Sequence, residues 1–178
     1  MAEEKKEPWL NYLALTTIVL AVCATLATFK GGGFSTRSIL YQTQASDQWA
    51  FYQSKSIKGY LYEMQKDQLD MQLKATGPRG NAELAAEMQK KIDGYAKKIA
   101  KYDTEKAQIQ ADAKKLEEKR NDAQKHGQAF GVAVIFLQIA ILLSSIAALL
   151  KKKYVWVIAV AVGCYGILSF ANGFLLFM

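Results

Sequence analysis

The stretch "AALLKKKYVW", Ala147 to Trp156, places three adjacent lysines between two apolar runs. Residues 127–150 before the lysines and 154–178 after them contain no charged side chain. At a rise of about 1.5 Å per residue, each run is long enough as a helix to cross a hydrocarbon core of about 30 Å. The pattern therefore predicts two transmembrane helices joined by a short basic loop at 151–153.

A third uncharged run, 8–29, follows a short N-terminal tail, 1–7. It is longer than the apolar core of about 7–15 residues that is typical of a cleaved signal peptide, so we expect it to be retained as a first transmembrane helix. A helix satisfies all of its backbone hydrogen bonds internally, as the bilayer interior requires. The predicted fold class is therefore an all-α membrane protein with three transmembrane helices.

The basic loop also predicts an orientation. Positive residues in short loops tend to stay in the cytoplasm, whereas long loops cross the membrane largely regardless of charge. Lys151, Lys152 and Lys153 are therefore the predicted topology determinants, with the N-terminus and the 151–153 loop cytoplasmic and the long polar segment outside. Basic residues also flank the spans on the side of the long segment, so the opposite orientation stays open.

The long polar segment opens with "KGGGFSTRS", residues 30–38. Consecutive glycines are poor helix formers, and serine or threonine is a good helix N-cap. We therefore predict a glycine hinge at 30–35, with Ser35 or Thr36 capping a new helix. A phosphate-binding loop is disfavoured, because the lysine and serine or threonine of that motif do not follow the glycines.

Two helical arms of similar length follow the hinge. The first arm ends at "TGPRGN", 76–81, which combines the residues typical of a tight turn. The second arm begins near Ala82 and carries no stop signal before Leu150, so one helix should continue into the second span. The sequence thus predicts an extramembrane, coiled-coil-like helical hairpin over 36–126 that projects about 60 Å from the bilayer.

Heptad spacing in the arms predicts how they pack. In the first arm, Ala50, Ile57, Met64 and Met71 recur every seven residues, with Leu61 beside them. We expect this row to face two heptad rows of the second arm across a mixed seam. Those two rows are Tyr95, Tyr102, Ile109, Leu116, Ala123 and Phe130, and Ile92, Ile99, Lys106, Ala113, Arg120 and Gly127.

Aromatic residues cluster near the start of the first arm. Trp49, Phe51, Tyr52 and Tyr60 point in several directions on a helix, so one partner arm cannot cover all of them. We therefore expect some of them to contact the membrane interface and others to contact a neighbouring subunit.

The spans carry small and polar residues that favour contacts between helices. Gly127, Gly131 and Gly163 would let helices approach closely, and the side chains of Gln138 and Asn172 could form hydrogen bonds inside the membrane. These residues are predicted helix or oligomer contacts. The spans contain no acidic or basic side chain, which argues against a pump or a proton-coupled transporter.

The sequence gives little sign of catalysis. The chain has one histidine, His126, with no metal-ligand motif near it and no nucleophile motif elsewhere. We therefore expect no enzymatic activity, catalytic residue, metal site or cofactor. The positive charges of the polar segment are spread along its helices instead of forming a patch, so nucleic acid is not an expected partner.

Residues 9–69, with the junction "TFKGGGFSTRS" and the helix "QASDQWAFYQSKSIK", resemble domain-of-unknown-function family 4337. The resemblance covers nearly the whole chain and is most specific in its first 70 residues. It implies a small three-span protein of the bacterial inner membrane. It implies no activity, cofactor or catalytic residue.

The two thin helical arms and the small residues of the spans predict a protein that packs against other subunits. We expect a non-enzymatic scaffold or ring of identical subunits, with the lipid bilayer and further copies of the chain as partners. One alternative is an oligomeric channel whose wall is lined by Gln138 or by first-span threonines. Another is an accessory subunit that binds a second membrane protein.

Overall fold

The computed structural model describes residues 8–76 and 81–177, and over these residues it has three α-helices and no strand. The helices are α1, Pro8–Thr76; α2, Ala82–Leu150; and α3, Lys153–Leu175. The prediction of one helix from Ala82 to Leu150 is confirmed. The N-terminal tail and residues 77–80 of the predicted turn lie outside the described residues.

Local sequence explains where α2 begins and ends. Asn81 caps its start, since the backbone N–H of Glu83 donates to Asn81 Oδ1 at 3.0 Å. At its end Lys151 has a left-handed backbone, with φ of 51°. The N–H groups of Lys151 and Lys152 donate back to the carbonyls of Ala148 and Ala147, which forms a Schellman motif. The predicted basic loop is therefore a tight turn between α2 and α3.

The predicted hinge at 30–35 is wrong, because α1 continues as a helix through all three glycines. Thr36 caps no new helix, and its hydroxyl donates to the Gly32 carbonyl one turn earlier at 3.0 Å. Close packing explains a glycine at position 31, where an added Cβ would lie 3.0 Å from the Cβ of Phe130 on α2. Glycine costs a helix about 1 kcal/mol relative to alanine, and tertiary packing readily offsets that cost.

The chain divides into two compact units. The apolar unit comprises the described residues of 1–40 and 119–178, and so contains the apolar part of α1, the apolar part of α2 and all of α3. The polar unit is Tyr41–Glu118 and contains the polar parts of α1 and α2.

Small residues let the helices of the apolar unit pack closely. Phe130 is fully buried, with its ring centroid 5.8 Å from that of Phe34 on α1 and 4.9 Å from that of Phe174 on α3. Buried alanines of α1 and α2 belong to the same cluster, so the backbones can approach with little side-chain volume between them. The core of this unit consists of Leu20, Ala24, Ala27, Phe130, Ala133, Leu137 and Ala140.

In the polar unit the two helical segments pack side by side in opposite directions. Trp49 Nε1 donates to Glu117 Oε1 at 2.9 Å, and the Lys55 ammonium pairs with the Glu105 carboxylate at 2.6 Å. Further along, the ring of Tyr62 stacks on that of Tyr102 with centroids 5.9 Å apart. Contacts that move forward along α1 therefore move backward along α2.

The predicted rows of α2 do face this seam. Ile92, Ile109 and Ala113 are buried, and the other members of both rows between residues 92 and 116 are half-buried.

The predicted row of α1 is wrong. Ile57, Met64 and Met71 are between 60% and 65% exposed. The seam instead uses a row two residues further along the helix, which lies about 200° around its axis. The members of that row are small, aromatic, basic or aliphatic: Ala45, Tyr52, Gly59, Lys66 and Leu73.

Candidate interaction surfaces

An exposed apolar surface follows α1 on the polar unit, and we call it the outer stripe. Its members lie at heptad spacing or next to it, and each is between 48% and 65% exposed. Four of its members share a helix arc of about 80°, the kind of apolar face that packs against another helix, and Tyr60 and Phe51 lie on its two flanks. The outer stripe consists of Phe51, Ile57, Tyr60, Leu61, Met64 and Met71.

The size of the outer stripe is unusual for a surface that faces water. Each side chain of this size carries about 200 Å² of surface, so six of them exposed by half to two thirds present roughly 700 Å². Monomeric soluble proteins rarely expose a contiguous apolar patch of more than about 300–600 Å². A stable protein interface buries about 800 Å² on each partner, so the outer stripe approaches that size by itself.

The four aromatic residues predicted to contact the membrane interface or a neighbouring subunit divide into two pairs. Trp49 and Tyr52 are half-buried, and their rings meet edge to face with centroids 5.6 Å apart. Both contribute to packing within the polar unit, where Trp49 also binds Glu117. Phe51 and Tyr60 are largely exposed and belong to the outer stripe.

An ion pair joins the inward face of α1 to α2. Lys55 pairs with Glu105 and lies 5.3 Å from the centroid of the Tyr102 ring. The hydrogen bond from Lys55 lowers the pKa of Glu105, and desolvation opposes that shift only in part. A hydrogen bond to Asp103 likewise raises the pKa of Lys106, whose Nζ–Oδ1 distance is 2.8 Å. Of these two pairs, only Lys55–Glu105 joins α1 to α2, because Asp103 and Lys106 both belong to α2.

The three predicted glycine contacts in the apolar unit differ. An added Cβ on Gly163 would lie 2.8 Å from Leu20 Cδ2, and one on Gly127 would lie 3.4 Å from Ser35 Oγ. Both glycines therefore pack against α1. A Cβ on Gly131 would meet nothing within 4 Å, so this glycine lies on an open face of α2.

The two predicted polar contacts of the spans also differ. Asn172 is buried within the apolar unit, with 8% of its surface exposed. Gln138 is exposed on the surface of α2, close to the middle of an otherwise apolar segment. Its amide is therefore available to a group outside the protomer.

His126 links α2 to the end of α3. Its Nδ1 lies 2.8 Å from the Gly173 carbonyl oxygen, which is one of the last carbonyls of α3. Its ring stacks on Phe34 at 4.6 Å, and its Nε2 lies 3.9 Å from Asp122. These contacts give His126 a structural role at the end of the helical bundle.

The remaining predicted sites are simple to place. Lys151, Lys152 and Lys153 are exposed at the turn between α2 and α3, and Lys152 Nζ lies 5.8 Å from the centroid of the Tyr154 ring. Among the described residues, no group of three or more histidine, cysteine, aspartate or glutamate side chains could hold a metal ion.

The architecture defines a class of protein. All three helices contain a segment long and apolar enough to cross a membrane, and two of them continue into a polar unit. The chain belongs to the family described as domain of unknown function DUF4337, whose model matches residues 9–176. No curated protein and no solved structure matched the chain.

Proposed function

We propose that the chain is a non-enzymatic integral membrane protein that assembles with copies of itself into a scaffold or ring. The apolar unit lies in the bacterial inner membrane, and the polar unit is a helical hairpin in the periplasm. The basic turn at 151–153 and the N-terminus then face the cytoplasm, as the distribution of lysines favours.

The outer stripe is the observation that carries this proposal. A heptad-spaced apolar row needs a second helix with a matching row, and the outer stripe of another copy supplies one. Its area is close to that of a stable interface. Charged residues of both signs border it, including Lys58, Asp67 and Lys74, so two copies do not repel each other along the whole face.

The apolar unit supports the same proposal independently. Inside a bilayer the exposed amide of Gln138 would have no water to bind, so a hydrogen bond to a neighbouring span would stabilise it. The open face at Gly131 lies two turns away on the same helix and would let that span approach closely. Both features favour contacts between copies within the membrane.

The test is the mass of the purified particle in mild detergent. The double variant Ile57→Glu/Met64→Glu places two charges on the outer stripe and should dissociate the assembly. Ala107→Glu adds one charge at an exposed position of α2 in the same unit and should leave the mass unchanged. Both variants should keep the helical content of the wild type, since none of the three positions is buried.

A monomeric wild-type particle would contradict self-assembly. So would a double variant whose mass equals that of the wild type. A monomer of this chain bound to one stoichiometric second protein through the outer stripe would instead establish the accessory-subunit alternative.

A pore is the second candidate, and the exposure of Gln138 is the observation that favours it. If several copies turned this face toward a common axis, their amides would line a polar path. In that arrangement the amide faces the axis and not a neighbouring span. The prediction is a conductance in planar bilayers that Gln138→Leu abolishes without changing the particle mass. A particle that conducts no ions, or a conductance that this variant leaves unchanged, would contradict the pore.

A further inference from the structure

The apolar unit contains a basic groove that the sequence patterns did not indicate. It is an open groove of about 640 Å³, lined by α1 residues between Thr28 and Arg37 together with Phe174 of α3. Lys30 and Arg37 are its two cations, and no acidic side chain lines it. Beside the two cations it is lined by Phe29, Gly32, Gly33 and Phe34.

The walls of the groove combine positive charge with apolar surface. The Arg37 guanidinium carbon lies 5.6 Å from the centroid of the Phe34 ring, a distance typical of a cation–π contact. Phe29 is 76% exposed, and an added Cβ on Gly32 or Gly33 would meet nothing within 4 Å. The groove is therefore open, has a cationic rim, and has room for a group larger than water.

Its position matches the boundary of a membrane. Lys30 is the first charged residue after the uncharged run 8–29, so the groove lies where α1 would leave the hydrocarbon core. A second, apolar groove on α1 is lined by Ile18, Val22, Thr25 and their neighbours. These residues and Phe29 recur every three or four positions, so Phe29, which lines the basic groove, lies on the helix face of the apolar groove and connects the two.

We propose that the basic groove binds the phosphate headgroup of an anionic phospholipid. Lys30 and Arg37 contact the phosphate, and an acyl chain lies along the apolar groove of α1. Arginine and lysine are both common phosphate ligands, and basic residues beside a membrane span attract anionic lipids. This inference depends on the membrane insertion proposed above, but not on self-assembly.

The experiment measures lipid binding by the full chain in an uncharged detergent. Dioctanoyl phosphatidylglycerol is titrated against the intrinsic fluorescence of the protein, with dioctanoyl phosphatidylcholine and inorganic phosphate as separate titrants. We expect saturable binding of phosphatidylglycerol and at least tenfold weaker binding of the other two. The double variant Lys30→Gln/Arg37→Gln should weaken phosphatidylglycerol binding by about 30-fold, because each cation near the headgroup contributes roughly fivefold.

Two further variants separate a built site from general attraction. Lys152→Gln/Lys153→Gln removes the same amount of charge at the turn between α2 and α3 and should leave the affinity unchanged. Gly33→Trp keeps both cations but fills the groove, and should abolish binding while the helical content stays that of the wild type.

Three results would overturn the inference. The first is equal affinity for the two lipids. The second is that both double charge variants weaken phosphatidylglycerol binding equally, and the third is that Gly33→Trp leaves this binding unchanged. Inorganic phosphate that binds as tightly as phosphatidylglycerol would make the groove a site for a free anion and would also refute it. Particle mass is read on the same samples. A monomer that binds phosphatidylglycerol therefore refutes self-assembly alone, and an oligomer that does not bind it refutes this inference alone.

Discussion

Replacing Gly166 by alanine tests how closely α2 and α3 pack in the apolar unit. The added methyl group would lie 2.9 Å from Leu137 Cγ and 3.0 Å from the Leu137 backbone nitrogen. A backbone atom cannot rotate out of the way, so the two helices must separate. Overpacking of this kind costs about 1–3 kcal/mol, and the better helix propensity of alanine returns up to about 1 kcal/mol. We therefore expect a net loss of about 1–2 kcal/mol.

Alanine substitutions at two other glycines provide a comparison for the loss of stability at Gly166. At Gly163 the nearest atom to an added methyl group is Leu20 Cδ2, at 2.8 Å. This is the tip of a side chain that can change rotamer, so Gly163→Ala should cost about 0–1 kcal/mol. Gly131 faces open space, so Gly131→Ala should be neutral or stabilise the helix by up to about 1 kcal/mol.

The assay is unfolding of the full chain in mixed micelles, with increasing denaturing detergent and helical content as the signal. Measuring all three variants in micelles that keep the protein monomeric removes any contribution from subunit contacts. The predicted order of destabilisation is Gly166→Ala, then Gly163→Ala, then Gly131→Ala. An equal loss at all three positions, or the largest loss at Gly131, would refute the packing described for α2 and α3.

Three further predictions concern other parts of the molecule. Phe130→Ala removes a fully buried ring and should destabilise the apolar unit by about 3–5 kcal/mol in the same unfolding assay. Gly32→Ala should raise stability by about 0.5–1 kcal/mol because its Cβ has free space, whereas Gly31→Ala, with Phe130 Cβ at 3.0 Å, should give no such gain. Lys55→Met should raise the pKa of Glu105, observed by carboxyl-carbon NMR, because the ion pair that lowers it is lost.

The last of these predictions has a defined pH dependence. Since the folded-state pKa of Glu105 lies below that of the unfolded chain, the ion pair stabilises the fold above the unfolded pKa. That stabilisation is lost as the pH falls through the folded-state pKa. Lys55→Met should therefore flatten the acid side of the stability curve of the polar unit. Each prediction has a contradicting result. For Lys55→Met it is an unchanged dependence of stability on pH, for Phe130→Ala it is an unchanged stability, and for Gly32→Ala it is a loss of stability.

Sequence alone predicted the elements whose signals are local. Three features of the sequence were enough to predict α2 and the face that it packs. They are the turn-forming residues at 76–81, the lack of a stop signal before Leu150 and two regular apolar rows. The turn between α2 and α3 followed from three lysines between uncharged runs. In each case one physical requirement is enough to predict the structure. For α2 it is the burial of apolar surface, and for the turn it is the absence of charge in the flanking runs.

Two predictions about α1, its packing row and its glycine hinge, were wrong because both depend on how α1 contacts α2. The row containing Ile57 and Met64 has the heptad spacing of a seam, but such spacing shows only that a helix face is suited to packing. The inner face of α1 contains Gly59 and Lys66, which give no apolar signal. Its contacts with α2 include the Lys55–Glu105 ion pair and the stacking of Tyr62 on Tyr102. The glycines from Gly31 to Gly33 suggested a break, yet at Gly31 glycine allows close contact with α2.

The aromatic residues of α1 and the basic groove also show what sequence could and could not predict. Trp49, Phe51, Tyr52 and Tyr60 stood out by composition, but only the packing of α1 showed that two of them turn inward. The basic groove had no sequence motif, because Lys30 and Arg37 form it together with Phe174, which is distant in the chain. The spacing of Lys30 and Arg37 by two helical turns, beside an uncharged run, is the signal that could have indicated it.

The mass of the intact particle in a mild detergent, measured by light scattering with the detergent contribution removed, tests the central proposal most directly. Self-assembly through the outer stripe predicts a discrete multiple of the 19.8 kDa subunit mass. A homogeneous particle containing one chain, with the outer stripe intact and no second protein bound, would contradict the proposed assembly.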